Sequence, residues 1–300
     1  MIQPPNLIPG DTIGIVCPAG AIDIKIVKNC MEILSSWGYQ VRLGATVGTK
    51  HDYFAATDTA RAADLQQMLD DDSIKAILCG RGGYGVSRMI HLINFAHFKQ
   101  QPKWVIGFSD ITVLHAAIQM QGCMSIHGPM CAAFGKGVAG GIFIESLRSI
   151  LEGRPIDIAT KAHPLNNIGT AKGRLIGGNL CLVAHLIGSK NSFHTKGKIL
   201  FVEDVGEYHY NLDRLVVQIK NAGLFDGLAG LIVGGFTDMK DKPTDFGASA
   251  FEIIKYHTKE YDFPICFDFP ISHDLQNFAV IEGAMYILKV QPTEVQLMAS

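Results

Sequence analysis

Three hundred residues, 48% of them hydrophobic, carry 26 lysines and arginines against 28 aspartates and glutamates, for a net charge of -2. A chain of that size buries a large core and divides into two domains, 1–153 and 173–300, with 154–172 as the linker. The near-neutral balance and the absence of long basic runs argue against nucleic acid as a partner and favour a small, roughly neutral substrate.

The amino terminus, Met1 to Asn6, lacks the basic stretch and apolar core of a secretory signal, and no apolar run approaches the length of a membrane span, so a soluble, cytoplasmic protein is expected. Asp11 to Cys17 reads as a first strand and Pro18-Ala-Gly20 as a turn. From Ile26, the residues Val27, Cys30, Ile33, Leu34 and Trp37 recur at helical spacing up to Gly38, and Gln40 to Leu43 resumes a strand. Thr57 is placed to cap a helix carrying Ala62, Leu65, Met68 and Leu69, and Lys75 to Cys79 is the next buried strand. Alternation of this kind implies a largely parallel sheet covered on both faces, an α/β fold.

That strand runs into Gly80-Arg-Gly-Gly-Tyr-Gly85, followed by a helix marked by Val86, Met89, Ile90 and Ile93. Closely spaced glycines after a strand let backbone N–H groups approach a phosphate, carboxylate or oxyanion, although a tight turn needing positive φ explains them equally well. The spacing matches neither G-x-x-x-x-G-K-[ST] nor G-x-G-x-x-G. Arg81 beside such amides would make a carboxylate clamp.

Trp104, Val105 and Ile106 form a short apolar run ended by Gly107, and Ser109 is followed by Asp110, Thr112 and an amphipathic segment reaching Gln121. This strand, turn and helix puts a serine where open α/β sheets bind ligands, with the N–H of the next residue available to an oxyanion. The plainer alternative is a helix cap, since the usual nucleophile elbow has glycine two places after the serine and Ile111 stands there. His127, before Gly128-Pro129, reads as a packed turn residue rather than a base. A helix is expected from about 140 to 153, and the mixed polar stretch to Gly173 as the crossing between domains.

In the second half, Gly173 to Asn179 leads into an apolar helix from Leu180 to Ile187, and Lys198 to Val202 is a strand ending at Glu203-Asp204. Leu212, Leu215, Val216 and Ile219 mark a helix closed by Gly223, and Leu228 to Gly235 is a strand whose glycines point to close backbone approach. A helix carries Phe251 and Ile254; Pro264 to His273 and Asn277 to Val290 read as strand, loop and terminal strands. The seven cysteines are odd in number and form no C-x-x-C pair, as expected of buried reduced thiols.

Glu203 ends a buried strand, where a carboxylate costs several kcal/mol unless paired, and His273 lies in a proline-rich loop. A serine nucleophile needs a base to take its proton and a carboxylate to orient that base, and the chain offers Ser109, Glu203 and His273 in that order. Spacing alone does not bring the three together; Glu203 reads as well as a capping or salt-bridged residue, like Asp204 and Glu207.

From Pro9 to about Leu288 the chain resembles the LD-carboxypeptidases, or muramoyltetrapeptide carboxypeptidases, a family of cytoplasmic serine peptidases. The motifs that carry the resemblance are P-G-D-T-I-G-I-V at Pro9 to Val16, A-x-T-D-x-x-R-A-x-D-L at Ala55 to Leu65 and R-G-G-Y-G at Arg81 to Gly85. They continue with G-F-S-D at Gly107 to Asp110, H-G-P at His127 to Pro129, G-G-N-L at Gly177 to Leu180, L-F-V-E-D at Leu200 to Asp204 and L-D-R at Leu212 to Arg214. No single one is specific; all of them in this order are.

The resemblance implies an amino-terminal parallel-sheet α/β sandwich, a smaller carboxyl-terminal α/β domain and an active site in the groove between them. It implies Ser109 as nucleophile, Glu203 as orienting carboxylate and His273 as general base, with an oxyanion hole from the N–H groups of Asp110 and of a glycine in Arg81-Gly-Gly, here taken as Gly83; the family often has Gly-His where this chain has Ser272-His273. The implied substrate is a murein tetrapeptide, free or sugar-linked, cleaved at the L,D bond before the terminal D-Ala, and Arg81 is the candidate for its carboxylate. Neither metal nor cofactor is implied, and a homodimer is expected. Three rival readings stand beside this one. A microcin-immunity-like peptidase would cleave peptidyl or aminoacyl nucleotides with the same triad, but needs an aromatic platform that the sequence does not obviously supply. A non-catalytic module would bind a small anion at Arg81 to Gly85. A nicotinamide dehydrogenase is disfavoured by the missing dinucleotide fingerprint.

Overall fold

The computed structural model describes residues 1–135 and 138–300. Its backbone contacts divide the chain into two units, Met1–Arg154 with Phe278–Glu282, and Pro155–Asn277 with Gly283–Ser300. Five strands enter the first unit in turn: β1 (Thr12–Val16), β2 (Gln40–Leu43), β3 (Ile74–Cys79), β4 (Trp104–Gly107) and β5 (Ser125–His127). The second unit takes β6 (Asp157–Lys161), β7 (Gly169–Asn179), β8 (Ile199–Val205), β9 (Gly230–Thr237) and β10 (Ile265–Cys266). The chain then returns to the first unit for β11 (Val280–Glu282) and ends in the second with β12 (Met285–Val290) and β13 (Glu294–Ala299).

The first sheet has the order β11-β5-β4-β3-β1-β2, parallel from β2 to β5 and antiparallel only where β11 meets β5. Its central strands β3 and β4 are apolar and almost wholly buried, as strands covered on both faces must be. The helix Ile24–Ser36 starts where the Asp23 side chain accepts the Lys25 N–H at 2.8 Å, and buries Val27, Cys30 and Leu34. Thr57 caps the helix Asp58–Asp70, as its position suggests, and Ala62, Leu65, Met68 and Leu69 face the core.

The second sheet runs β10-β9-β8-β7-β12-β13-β6, parallel from β10 to β7 and antiparallel beyond. β7 belongs to both halves: residues 169–174 pair antiparallel with β12, and residues 175–179 pair parallel with β8. In the parallel half, a Cβ on Gly177 would lie 1.9 Å from the carbonyl oxygen of its partner Phe201, and its φ is +147°. Only glycine fits there.

Three elements depart from the sequence reading. The stretch 154–172, read as a linker, carries β6 and the first residues of β7. The helix Thr112–Met120, read as amphipathic, is buried from Thr112 through Gln119, so its polar His115 and Gln119 face the interior rather than solvent. β13 lies beyond the last strand anticipated; its hairpin closes through the Gln291 N–H on the Glu294 carbonyl at 2.9 Å. Among the described residues no helix is long and apolar enough to cross a membrane. All seven cysteines are free, and all but Cys181 are buried.

Candidate active site

In the first unit, β4 ends at Gly107, Phe108 is extended and Ser109 turns into the left-handed region with φ +63°. A serine rarely adopts that conformation, which costs roughly 1–3 kcal/mol and survives only where the surroundings impose it. Here close packing does so. A Cβ on Gly82 would stand 2.8 Å from Ser109 Cβ, so the glycine loop passes directly against the serine, and one on Gly107 would stand 2.9 Å from Ile111 Cγ1, so the turn itself is tightly packed. A 3-10 turn, Ser109–Ile111, then leads into the helix Thr112–Met120. Asp110 ties the turn to the glycine loop, its Oδ2 accepting the Val86 N–H at 2.8 Å. Burial pushes the Asp110 carboxyl up to about 6, against the Val86 bond and the nearby charge of Arg61, which pull it down.

The loop Arg81–Gly85 beside Ser109 has Gly83 at φ +106° and Gly85 at φ +140°. The Gly82 carbonyl accepts the Gly20 N–H at 3.0 Å, and exposed Arg81 donates from Nη1 to the Ala21 carbonyl at 3.1 Å. Arg61, which the sequence reading met only within a motif, supports this loop from beneath. It is fully buried, donates to the carbonyls of Pro18 and Ala56, and pairs with Asp58. A Cβ on Gly85 would fall 2.7 Å from its Nη1. The available signal was its spacing, four residues before Leu65 on the face that also carries Met68. His127 ends β5 wholly buried, its ring 5.8 Å from that of Phe108.

In the second unit, Glu203 near the end of β8 is fully buried, and its Oε2 accepts a hydrogen bond from His273 Nδ1. A carboxylate can only accept, so Nδ1 carries the proton and Nε2 is the basic nitrogen of the neutral ring. Local backbone irregularity creates this meeting. The register between β8 and β9 shifts between Val202 and Asp204, a bulge at Gly234-Gly235 of β9 opposite Glu203. A Cβ on Gly234 would stand 2.2 Å from the Ile271 carbonyl oxygen, and one on Gly235 2.4 Å from Ser272 Cβ. Bare backbone at both positions therefore lets the segment before His273 lie against the strand, tied by the Gly235 N–H to the Ile271 carbonyl at 2.9 Å.

Burial alone would lower the His273 pKa, but the charge and hydrogen bond of Glu203, helped by Asp204, hold it above its ordinary value. Asp204 is pushed up to about 7 by burial and by the neighbouring charge of Glu203. Hydrogen bonds from Asn179 Nδ2 at 2.8 Å, the Val205 N–H at 2.8 Å and the Cys181 N–H at 3.0 Å oppose that rise. Of the residues singled out in the sequence, Ser109, Asp110, Gly83 and Arg81 thus gather in the first unit, and Glu203 is paired with His273 in the second. Among the described residues, no cluster of three or more His, Cys, Asp or Glu could hold a metal ion.

Residues 13–128 match the model of the LD-carboxypeptidase N-terminal domain, and residues 172–288 that of the LD-carboxypeptidase C-terminal domain. The chain belongs to the LD-carboxypeptidase family. It is therefore a peptidase. A probable murein peptide carboxypeptidase of Bacillus subtilis is 33% identical over 286 residues, 94% of this chain and 90% of that protein. The murein tetrapeptide carboxypeptidase of Pseudomonas aeruginosa is 29% identical over 92% of each chain. Among solved structures, the muramoyltetrapeptide carboxypeptidase from Oxalobacter formigenes superposes with a TM-score of 0.88 at 25% identity, covering 96% of this chain and 99% of that one. The microcin C7 self-immunity protein MccF in complex with adenosine monophosphate reaches 0.90 at 20% identity, over 100% and 99% of the two chains, a likeness of fold.

Proposed function

We propose that this family member is a cytoplasmic serine carboxypeptidase of peptidoglycan recycling, acting as a homodimer. Its reaction would hydrolyse the L,D peptide bond between the third residue of a murein tetrapeptide and the terminal D-Ala. The observation that carries the reading is the buried Glu203–His273 pair, with the imidazole bonded through Nδ1 and its basicity raised. A buried carboxylate is costly unless it has such a partner, and an imidazole so oriented is the base that a serine nucleophile requires. Ser109, held at φ +63° after a buried strand, is the matching nucleophile.

In this reaction His273 Nε2 takes the proton of Ser109 Oγ as the oxygen attacks the amide carbonyl, and Glu203 steadies the imidazolium. The N–H groups of Asp110 and Gly83 stabilise the tetrahedral oxyanion. Collapse breaks the C–N bond, His273 delivers its proton to the leaving D-Ala nitrogen, and a water activated by the same histidine releases the acyl group. Arg81 is assigned the carboxylate of the terminal residue, since its guanidinium is exposed beside the glycine loop. Replacing Arg81 by Ala is expected to raise KM about tenfold for the free acid and little for a substrate with an amidated terminus; equal effects on both would remove Arg81 from that role.

One observation favours a second reading, cleavage of aminoacyl or peptidyl nucleotides. The partly exposed rings of Tyr208 and Tyr210 lie 5.7 Å apart in the second unit, with Lys242 Nζ 4.2 Å from the Tyr210 centroid. These rings and that cation form a platform of the kind a nucleobase stacks on. Parallel assays of the tetrapeptide, the D,D-linked pentapeptide and an aminoacyl nucleotide decide between the two. Turnover of the tetrapeptide alone supports the carboxypeptidase, and turnover of the nucleotide alone supports its rival.

A further inference from the structure

Beneath the Ser109 turn lies a polar cluster to which the reaction above assigns no role. His115, Ser125 and Glu282 have no exposed surface and Gln119 is buried, in a core otherwise built from residues such as Val113, Leu114 and Ile118. Polar groups in such a place cost stability unless they are bonded, so a reason for their presence is needed. His115 Nε2 lies 2.9 Å from the Gly107 carbonyl oxygen, which also accepts the Gly128 N–H at 3.1 Å. A carbonyl cannot donate, so Nε2 carries the proton, and burial lowers the His115 pKa to about 4, which keeps the ring neutral. Gln119 Nε2 donates to Glu282 Oε2 at 2.6 Å, and Glu282 Oε1 stands 3.9 Å from His115 Nε2. Glu282 is brought there by β11, the segment with which the chain returns to this unit.

Gly107 is the last residue of β4 and stands two positions before Ser109, whose left-handed conformation persists only if its flanks are fixed. The Gly128 bond anchors that carbonyl from the neighbouring strand, and the His115 bond anchors it from the helix that follows the serine. We propose that His115, buried beside the Gln119–Glu282 pair, is a positioning residue that fixes the end of β4 and so holds Ser109 in attacking geometry. The inference rests on Ser109 being the nucleophile.

Because the Gly128 bond remains when the imidazole is removed, His115→Phe is expected to fold while letting the serine turn relax. A displacement of that kind should lower kcat about 10- to 100-fold with KM nearly unchanged, and slow the labelling of Ser109 by a fluorophosphonate in parallel. His115→Gln keeps a donor at similar reach and should recover most of both rates. If His115→Phe does not fold, His115→Met fills the space with a flexible chain and carries the same comparison. A folded variant lacking the donor with kcat within about twofold of wild type overturns the proposal, and so does a His115→Gln protein as slow as His115→Phe. Turnover retained by Ser109→Ala, or a wild-type enzyme that the fluorophosphonate does not label at Ser109, would instead remove the nucleophile on which the inference stands.

Discussion

Two opposing effects meet at the His273 imidazole. Burial disfavours its charged form, while Glu203 and Asp204 favour it more strongly, so its pKa is raised. A base must be neutral to accept a proton, so kcat/KM should fall as pH drops through this raised value. Glu203→Gln removes the charge that raises it; the acid limb should move to lower pH, and kcat should fall by roughly 10⁴-fold as tautomer control is lost. Measured pH–rate profiles of both proteins check this, and an unmoved acid limb would separate the two residues. Glu203 was legible in the sequence because a carboxylate ending an apolar strand demands a partner. The identity of that partner was not legible in spacing and came with the resemblance alone. A lone histidine seventy positions away has no spacing to announce it, and the contact depends on a bulge at Gly234-Gly235 that appears only once β8 and β9 are paired.

The strand, turn and helix around Ser109 is a single device built from close approaches. Adding one methyl at Gly82 would bring it within 2.8 Å of Ser109 Cβ, and Gly82 is not in the positive-φ region. Gly82→Ala should therefore fold, with a modest fall in melting temperature, and lose about tenfold or more in kcat as the serine is pushed from its position; kinetics beside a thermal melt would show whether activity falls further than stability. The order of elements here could be read from Trp104-Val-Ile followed by Gly107 and Ser109. The left-handed serine could not, because the close approach of Gly82, distant in sequence, is not announced by the residues around Ser109. The helix Thr112–Met120 departs from an amphipathic pattern for a related reason. His115 and Gln119 look like a solvent-facing side until Gly107 and Glu282 supply their partners inside.

Regular alternation of apolar strands and capped helices was enough to recognise a mixed α/β molecule with a parallel sheet, and the motif order was enough to recognise its family. The three-residue return of β11 to pair with β5, and the antiparallel half of the second sheet, follow from contacts between segments distant in sequence and leave little local pattern. Charge buried in both units also sets the response of the whole protein to pH. The carboxyls of Asp110 and Asp204 are raised from 3.8 to about 6 and about 7, so between those values the folded chain binds more protons than the unfolded one. Stability they contribute on the acid side is lost as pH rises through that range, and raised His273 adds the same sign above its ordinary value. The lowered carboxyls, Asp58, Asp71, Asp241 and Glu252, act in the opposite sense only below their own ordinary values, and His115, lowered to about 4, opposes the trend only below its ordinary 6.5, where raised Asp110 and Asp204 together outweigh it. Calorimetry should accordingly give a higher melting temperature at pH 5 than at pH 8, with a shallower slope in Asp204→Asn; a melting temperature that rises over that interval would contradict the assignment. The most direct test of the proposed reaction is release of D-Ala from L-Ala-γ-D-Glu-meso-diaminopimelyl-D-Ala, followed by mass spectrometry for the wild type and Ser109→Ala. Release by the wild type and none by the folded variant is the expected result, whereas equal release by both, or none by either, would contradict a serine LD-carboxypeptidase acting through Ser109.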